Sequence, residues 1–244
     1  MSGITDKNSV QDWRLQATSE LAEDANLWGK VYPKGTVIKQ AANIKLQNKK
    51  TLVLHVPNAT ALFLSSSHRA FTDASTILKQ HKINAGQTPT VMFGSDDDAF
   101  SWLENMMMSV VSAYTAVEAF VNQSIPDDFK FEKDKAGVIE VFSKSDIERR
   151  LPLKEKLSSV LPSALSLTNP VGHKGWDKFC RLEGMRDRII HMKAKDQNVN
   201  GDGKGTVWEY LFIFPEPVSL ALPLLDYLTS QMEIKRRWVT HRPF

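Results

Sequence analysis

Ser95-Asp-Asp-Asp-Ala-Phe-Ser-Trp-Leu-Glu-Asn-Met-Met-Met-Ser-Val-Val-Ser-Ala-Tyr-Thr-Ala-Val-Glu-Ala-Phe-Val-Asn-Gln-Ser124 decides the fold. Ser95 followed by Asp98 is a loose capping signature, and Asp96, Asp97 and Asp98 suit the positive end of a helix dipole. Pro126 forbids a tidy continuation, so one long helix is expected to end near Ser124. From beyond Asn105 to Val121 it is apolar or small nearly all the way round, as in a helix buried in a bundle or at an oligomer interface. Glu118 is the anomaly, because a buried carboxylate needs a partner or must be neutral. Asn122 shares its face at i,i+4. The pair reads equally as support for a site and as a structural ion pair or solvent-facing edge.

The rest of the chain bounds the answer. Its 244 residues fit one large domain or a domain with an N-terminal extension, and 42% apolar content suffices for a core. A formal charge of +3 permits an acidic partner without announcing one. Cys180 is the only cysteine, which excludes an internal disulfide and a multi-cysteine zinc site. His55, His68, His81 and His173 lack metal-ligand spacing, so no metal or cofactor is expected. The N-terminus has no apolar core of a secretory signal, and no run of 18 apolar residues could span a membrane. These features predict a soluble, cytoplasmic protein.

Outward from the long helix, the N-terminal side is mixed. A short helix is expected near Val10–Trp28, with Trp13, Leu15, Leu21 and Leu27 as apolar points. Thr51–Val56 reads as a strand stopped by Pro57, and Thr90–Phe93 as a second short strand. Residues 58–82 read equally as helix or strand, and 83–89 as a loop. On the C-terminal side, residues 125–144 read as a charged connection around the apolar piece Val138–Phe142. Ser145 with Glu148 suggests a capping box, and a helix is expected over Leu153–Leu161. Residues 169–175 carry turn chemistry, and Trp176–Lys195 a helix. Asn198–Gly205 reads as a loop, and Val207–Phe214 as a strand or a helix start. Pro217–Met232 should be a last helix, kinked or begun at Pro223. A basic tail follows, in which Arg236 and Arg237 are weak candidates for RNA contact.

The chemistry concentrates in Leu182-Glu-Gly-Met-Arg-Asp-Arg-Ile-Ile-His-Met-Lys193. A guanidinium able to bind phosphate beside an imidazole able to move a proton is a minimal kit for cleaving RNA without metal. On an ideal helix Asp187 lies about 40° from His191 and Arg188 about 60°, but Arg186 lies about 140° away. Arg186 and His191 can therefore join only if the helix ends or distorts near Ile190, or if a second chain brings the groups together. The spacing alone is cheap, since Arg236 to His241 repeats it. The same residues would also form the solvated face of a helix whose Ile189 and Ile190 pack inward.

An Arg-Asp-x-Ile-x-His cluster on a late helix, after a long apolar helix containing Glu118-x-x-x-Asn122, resembles the HEPN superfamily. Leu151–Leu157 and Trp176–Phe179 are similar to that family's linking segments. The resemblance covers roughly Ser95–Met232. It implies a mainly α fold: a HEPN-like helical bundle at 95–244, after an N-terminal extension at 1–94 holding one or two short strands. It further implies a metal-independent endoribonuclease acting on RNA at a homodimer cleft, in a defence or toxin–antitoxin setting with a regulatory protein partner. Arg186 would hold the scissile phosphate, and His191 would transfer a proton or orient the 2′-hydroxyl. Asp187 would orient His191, Arg188 and Lys193 would assist with RNA, and Glu118 and Asn122 would support Arg186. The alternative is a noncatalytic HEPN-like module that binds a nucleotide, RNA or a partner protein.

Overall fold

The computed structural model describes residues 3–5, 12–27, 29–47, 49–83, 90–197, 203–233 and 236–244. The chain forms two compact units, Met1–Leu62 with Ile234–Phe244, and Phe63–Glu233. The division falls inside a helix rather than at residue 94, and the basic tail groups with the first unit.

The first unit is richer in strand than one or two short pieces. Its strands are β1 (Gly3–Thr5), β2 (Thr18–Glu20), β3 (Ala25–Leu27), β4 (Lys30–Tyr32), β5 (Val37–Lys39), β6 (Ala41–Lys45) and β7 (Thr51–His55). β1 and β2 flank β5 in one antiparallel sheet, and β3–β4 and β6–β7 are separate antiparallel pairs. The helix expected over Val10–Trp28 is replaced by β2 and β3 in the part described. Three-residue strands carry almost no local periodicity; β2 is a strand because Thr18–Glu20 finds Val37–Lys39 across the sheet. The expected strand at 51–56 forms as β7, in register with β6 from Ala41↔His55 to Lys45↔Thr51. Asn58 then starts α1 (Ala59–Gln80), its Oδ1 accepting the Ala61 N–H at 3.0 Å. That settles most of residues 58–82 as helix, with a turn at 81–82. The tail forms the short helix Arg237–His241, with Trp238 buried.

The second unit is mainly helical. α1 continues into it and meets α2 (Asp96–Ser124) through paired serines: Ser67 Oγ donates to the Ser109 carbonyl at 2.7 Å, and Ser109 Oγ to the Ser67 carbonyl at 2.8 Å. Ser95 caps α2 by accepting the Asp98 N–H, and buried residues run from Trp102 to Val121, as the opening stretch required. Thr90–Phe93 is not a strand. Phe93 instead packs its ring near Trp102 and Phe212, at 6.4 and 6.3 Å between centroids.

After α2 the charged connection is a hairpin, β8 (Lys130–Lys135) and β9 (Val138–Ser143). Ala136 and Gly137 both have positive φ at its two-residue turn, which matches strand twist. Because β9 runs to Ser143, the capping box is Ser143 with Asp146 rather than Ser145 with Glu148, and α3 spans Lys144–Arg150. α4 (Leu153–Glu155) passes through a π-helical stretch, Lys156–Val160, into α5 (Leu161–Leu165).

α6 spans Lys174–Ile190 and packs on α9 (Pro217–Ser230) and α2. A Cβ on Gly175 would lie 2.7–2.8 Å from backbone atoms of Pro223 and Leu224, so only glycine permits that crossing. α9 runs through Pro223 rather than beginning there. Between α6 and α9 lie α7 (Ala194–Gln197) and α8 (Val207–Phe212). The expected loops at 83–89 and 198–205 fall largely outside the described residues. Among the described residues no helix is long and apolar enough to cross a membrane.

Candidate functional site

α6 starts with His173, whose Nδ1 accepts the Gly175 N–H at 3.1 Å, and buries Phe179, Leu182, Met185 and Ile189. It does not continue to Lys195. His191 leaves helical geometry, with φ −115° and ψ 52°, while its N–H still donates to the Asp187 carbonyl at 2.9 Å. The helix end near Ile190 that a one-chain Arg186–His191 site demands is therefore present. Ile189 is buried, but Ile190 is 51% exposed rather than packed inward.

His191 is exposed and lines a pocket of about 380 Å³ with Asp187, Arg188, Lys193, Lys195 and Asp196. Asp196 organises the pocket. Its side chain is 1% exposed, and its two oxygens accept the Lys193 N–H at 2.9 Å and the Val207 N–H at 2.7 Å. Those backbone donors hold its carboxyl below the usual range despite burial. Its carbonyl accepts Trp208 Nε1 at 2.6 Å, so one residue ties α7 to the start of α8.

Arg188 is less available than expected for RNA. Its guanidinium donates to the Gly205 carbonyl, sits 3.9 Å from Asp196 and lies 4.2 Å from the Tyr210 ring centroid. These contacts fix it as a wall of the pocket. Lys193 and Lys195 are exposed.

Arg186 faces another environment and does not line the His191 pocket. Its guanidinium lies 4.6 Å from the Tyr114 ring centroid and donates to Asp187 Oδ1 at 2.8 Å. Burial works against its charge, yet Asp187, Tyr114 and Glu118 together raise its pKa. The Tyr114 phenol is pushed up to about 12, first by burial and then by the Glu183 charge, so it stays protonated. Asp187 thus connects the two environments: it pairs with Arg186 and lines the pocket with His191.

Glu118 and Asn122 are both half-buried on α2. Glu118 makes no hydrogen bond among the described residues and acts through its charge on Tyr114, Arg186 and Lys156. Asn122 accepts from Lys156 Nζ at 3.1 Å, and Lys156 also donates to the Glu148 carbonyl at 2.8 Å. Lys156, only 1% exposed in the π-helical stretch, has its pKa lowered by burial while Glu118 and Glu148 pull it back.

Lys156 and Asp196 are the residues that reading the chain missed. Tyr114, Glu118 and Asn122 recur at i, i+4 and i+8, a legible polar stripe on an otherwise apolar helix. A π-helical stretch has no comparable sequence signal, so Lys156 looked like one charge among several. In the tail, Arg236 is half-buried with its pKa lowered by burial, and Arg237 Nε donates to the Asp12 carbonyl at 3.3 Å. Among the described residues no cluster of three or more His, Cys, Asp or Glu side chains could hold a metal ion. No family model, curated protein or solved structure matches this chain.

Proposed function

We propose that the second unit is a HEPN-like domain that cleaves RNA without metal at a cleft shared by two copies of the chain. The observation that carries this reading is the end of α6 at Ile190, which turns His191 out of the helix into a pocket beside Asp187, Lys193 and Lys195. Arg186, held by Asp187 and Tyr114, would bind the phosphate through its guanidinium. In the reaction the 2′-oxygen attacks phosphorus and loses its proton, and the bond to the 5′-oxygen breaks as that oxygen gains one. His191 takes part in the proton transfer. The products are a cyclic phosphate and a 5′-hydroxyl. A second copy supplies the other Arg186 and His191, and exposed Ile190 offers apolar surface beside the site. Lys156 and Asn122 position the α2 stripe on which Tyr114 supports Arg186.

The test is cleavage of a mixed RNA pool in EDTA, with end-group analysis, comparing the natural chain with Arg186→Ala and His191→Ala. Cyclic-phosphate ends that vanish in both variants support the reading. Activity that persists in both variants, or its absence from the natural chain, removes it. The separation of Arg186 from the His191 pocket favours a second reading, a noncatalytic module that binds RNA, a nucleotide or a partner protein. Stable RNA binding without turnover selects that one.

A further inference from the structure

A second pocket, of about 510 Å³, shares no residue with the one around His191. Three elements build it. Phe71, Ser75 and Lys79 follow one stripe of α1 at i, i+4 and i+8, Trp102 and Met106 come from α2, and Phe212 and Phe214 come from the end of α8 and beyond. Phe212 stacks on Trp102 with centroids 3.9 Å apart and planes 14° apart, so the apolar wall is held rigidly. Its volume lies within the ~300–1,000 Å³ usual for small-molecule sites.

The polar groups of this lining point to one ligand chemistry. Lys79 and Lys82 are exposed, and neither pairs with a carboxylate among the described residues. Among the described residues no carboxylate, amide side chain or histidine lines the pocket. The two lysines therefore call for negative charge on an apolar body. A nucleotide fits poorly, because its base edges and ribose hydroxyls would find few partners.

Lys79 and Lys82 sit at the C-terminal end of α1, where the helix dipole favours cations. Lys82 is fixed there by a Schellman cap: Ile83 N–H donates to the Leu78 carbonyl and Lys82 N–H to the Lys79 carbonyl, both at 3.1 Å. Its φ of +52° places it in the left-handed region that usually selects glycine. A lysine held in that conformation supplies a charge that glycine would not.

We propose that this pocket binds a medium-chain carboxylate, its alkyl body against Phe71, Trp102, Met106 and Phe212 and its carboxylate at Lys79 and Lys82. The full chain is titrated calorimetrically with hexanoate, octanoate and decanoate, and with decanol and decylamine as controls. Decanoate is expected to bind most tightly, with a roughly two- to fourfold gain per added CH₂. Lys79→Gln combined with Lys82→Gln should weaken decanoate about tenfold or more and leave decanol unchanged, with circular dichroism showing an intact fold. Ser75→Trp, which fills the pocket, should abolish binding in a protein that still melts cooperatively. No heat at about 1 mM decanoate, no chain-length trend, equal binding of the controls, or unaltered decanoate affinity in the lysine double variant or in folded Ser75→Trp would each overturn the proposal.

Discussion

At the start of α8, Asp196 accepts the Val207 N–H and sits beside Arg188. At its end, Phe212 stacks on Trp102 in a pocket whose two lysines meet no carboxylate among the described residues. Six helical residues thus connect two pockets that differ in their acids and aromatic rings. Around His191 three cations, Arg188, Lys193 and Lys195, share the lining with two carboxylates, and Arg188 stands 3.9 Å from Asp196. Around Trp102 the walls are aromatic and positive charge is left over. The difference teaches how to separate chemistry from storage of a ligand. A cluster that mixes acid, imidazole and guanidinium suits proton transfer to a bound phosphate, whereas lysines without carboxylates above an apolar wall suit retention of an amphipathic anion.

The sharpest way to break this contrast is His191→Ala, which under the proposed ribonuclease reading should lower RNA cleavage by about 10²–10⁴-fold in an end-labelled assay. Lys79→Gln should leave cleavage unchanged in the same assay. If both variants behave alike, the two pockets are not independent. Next comes Trp102→Ala, which removes a fully buried indole and its stack on Phe212. Denaturant titration should show a loss of about 3–5 kcal/mol.

A smaller effect tests the polar end. Backbone N–H groups lower the Asp196 pKa from its ordinary value of 3.8. The folded chain thus holds this carboxyl ionised more readily than the unfolded chain does. Its stabilisation is complete above the ordinary value and is lost as pH falls through the lowered one. Asp196→Asn should therefore reduce stability at pH 7 and flatten the acid-side decline in thermal melts taken below about pH 5. The smallest change is Lys82→Gly, which relieves a left-handed lysine and should stabilise the fold by about 1 kcal/mol. Differential scanning calorimetry should record a rise of roughly 2–4 °C. The same variant would lose one cation from the aromatic pocket, so stability and ligand affinity should move in opposite directions.

Much of the helical unit was legible along the chain. Ser95 and Asp98 announced the start of α2, Pro126 its end, and the apolar run to Val121 its burial. These are local signals, written in neighbouring residues. The hairpin at 130–143 was hidden because its strands alternate charges with scattered apolar residues, and Phe142 is its only core side chain. The short strands of the first unit were hidden for another reason, since β2 exists only by pairing with β5.

The candidate site divides the same way. The sequence by itself named Arg186, Asp187, His191, Glu118 and Asn122, because residue chemistry and i,i+4 spacing are intrinsic to the chain. It also posed the condition that the helix must end near Ile190 for Arg186 and His191 to act together. Tertiary structure decided the rest. It ended α6 at Ile190, laid Arg186 on Tyr114, buried Lys156 against Asn122 and tied Arg188 to Gly205 and Asp196. The physical reason is that a side chain's charge is fixed by its type, but its burial and partners depend on groups from 8 to 72 residues away in sequence, which only packing brings near.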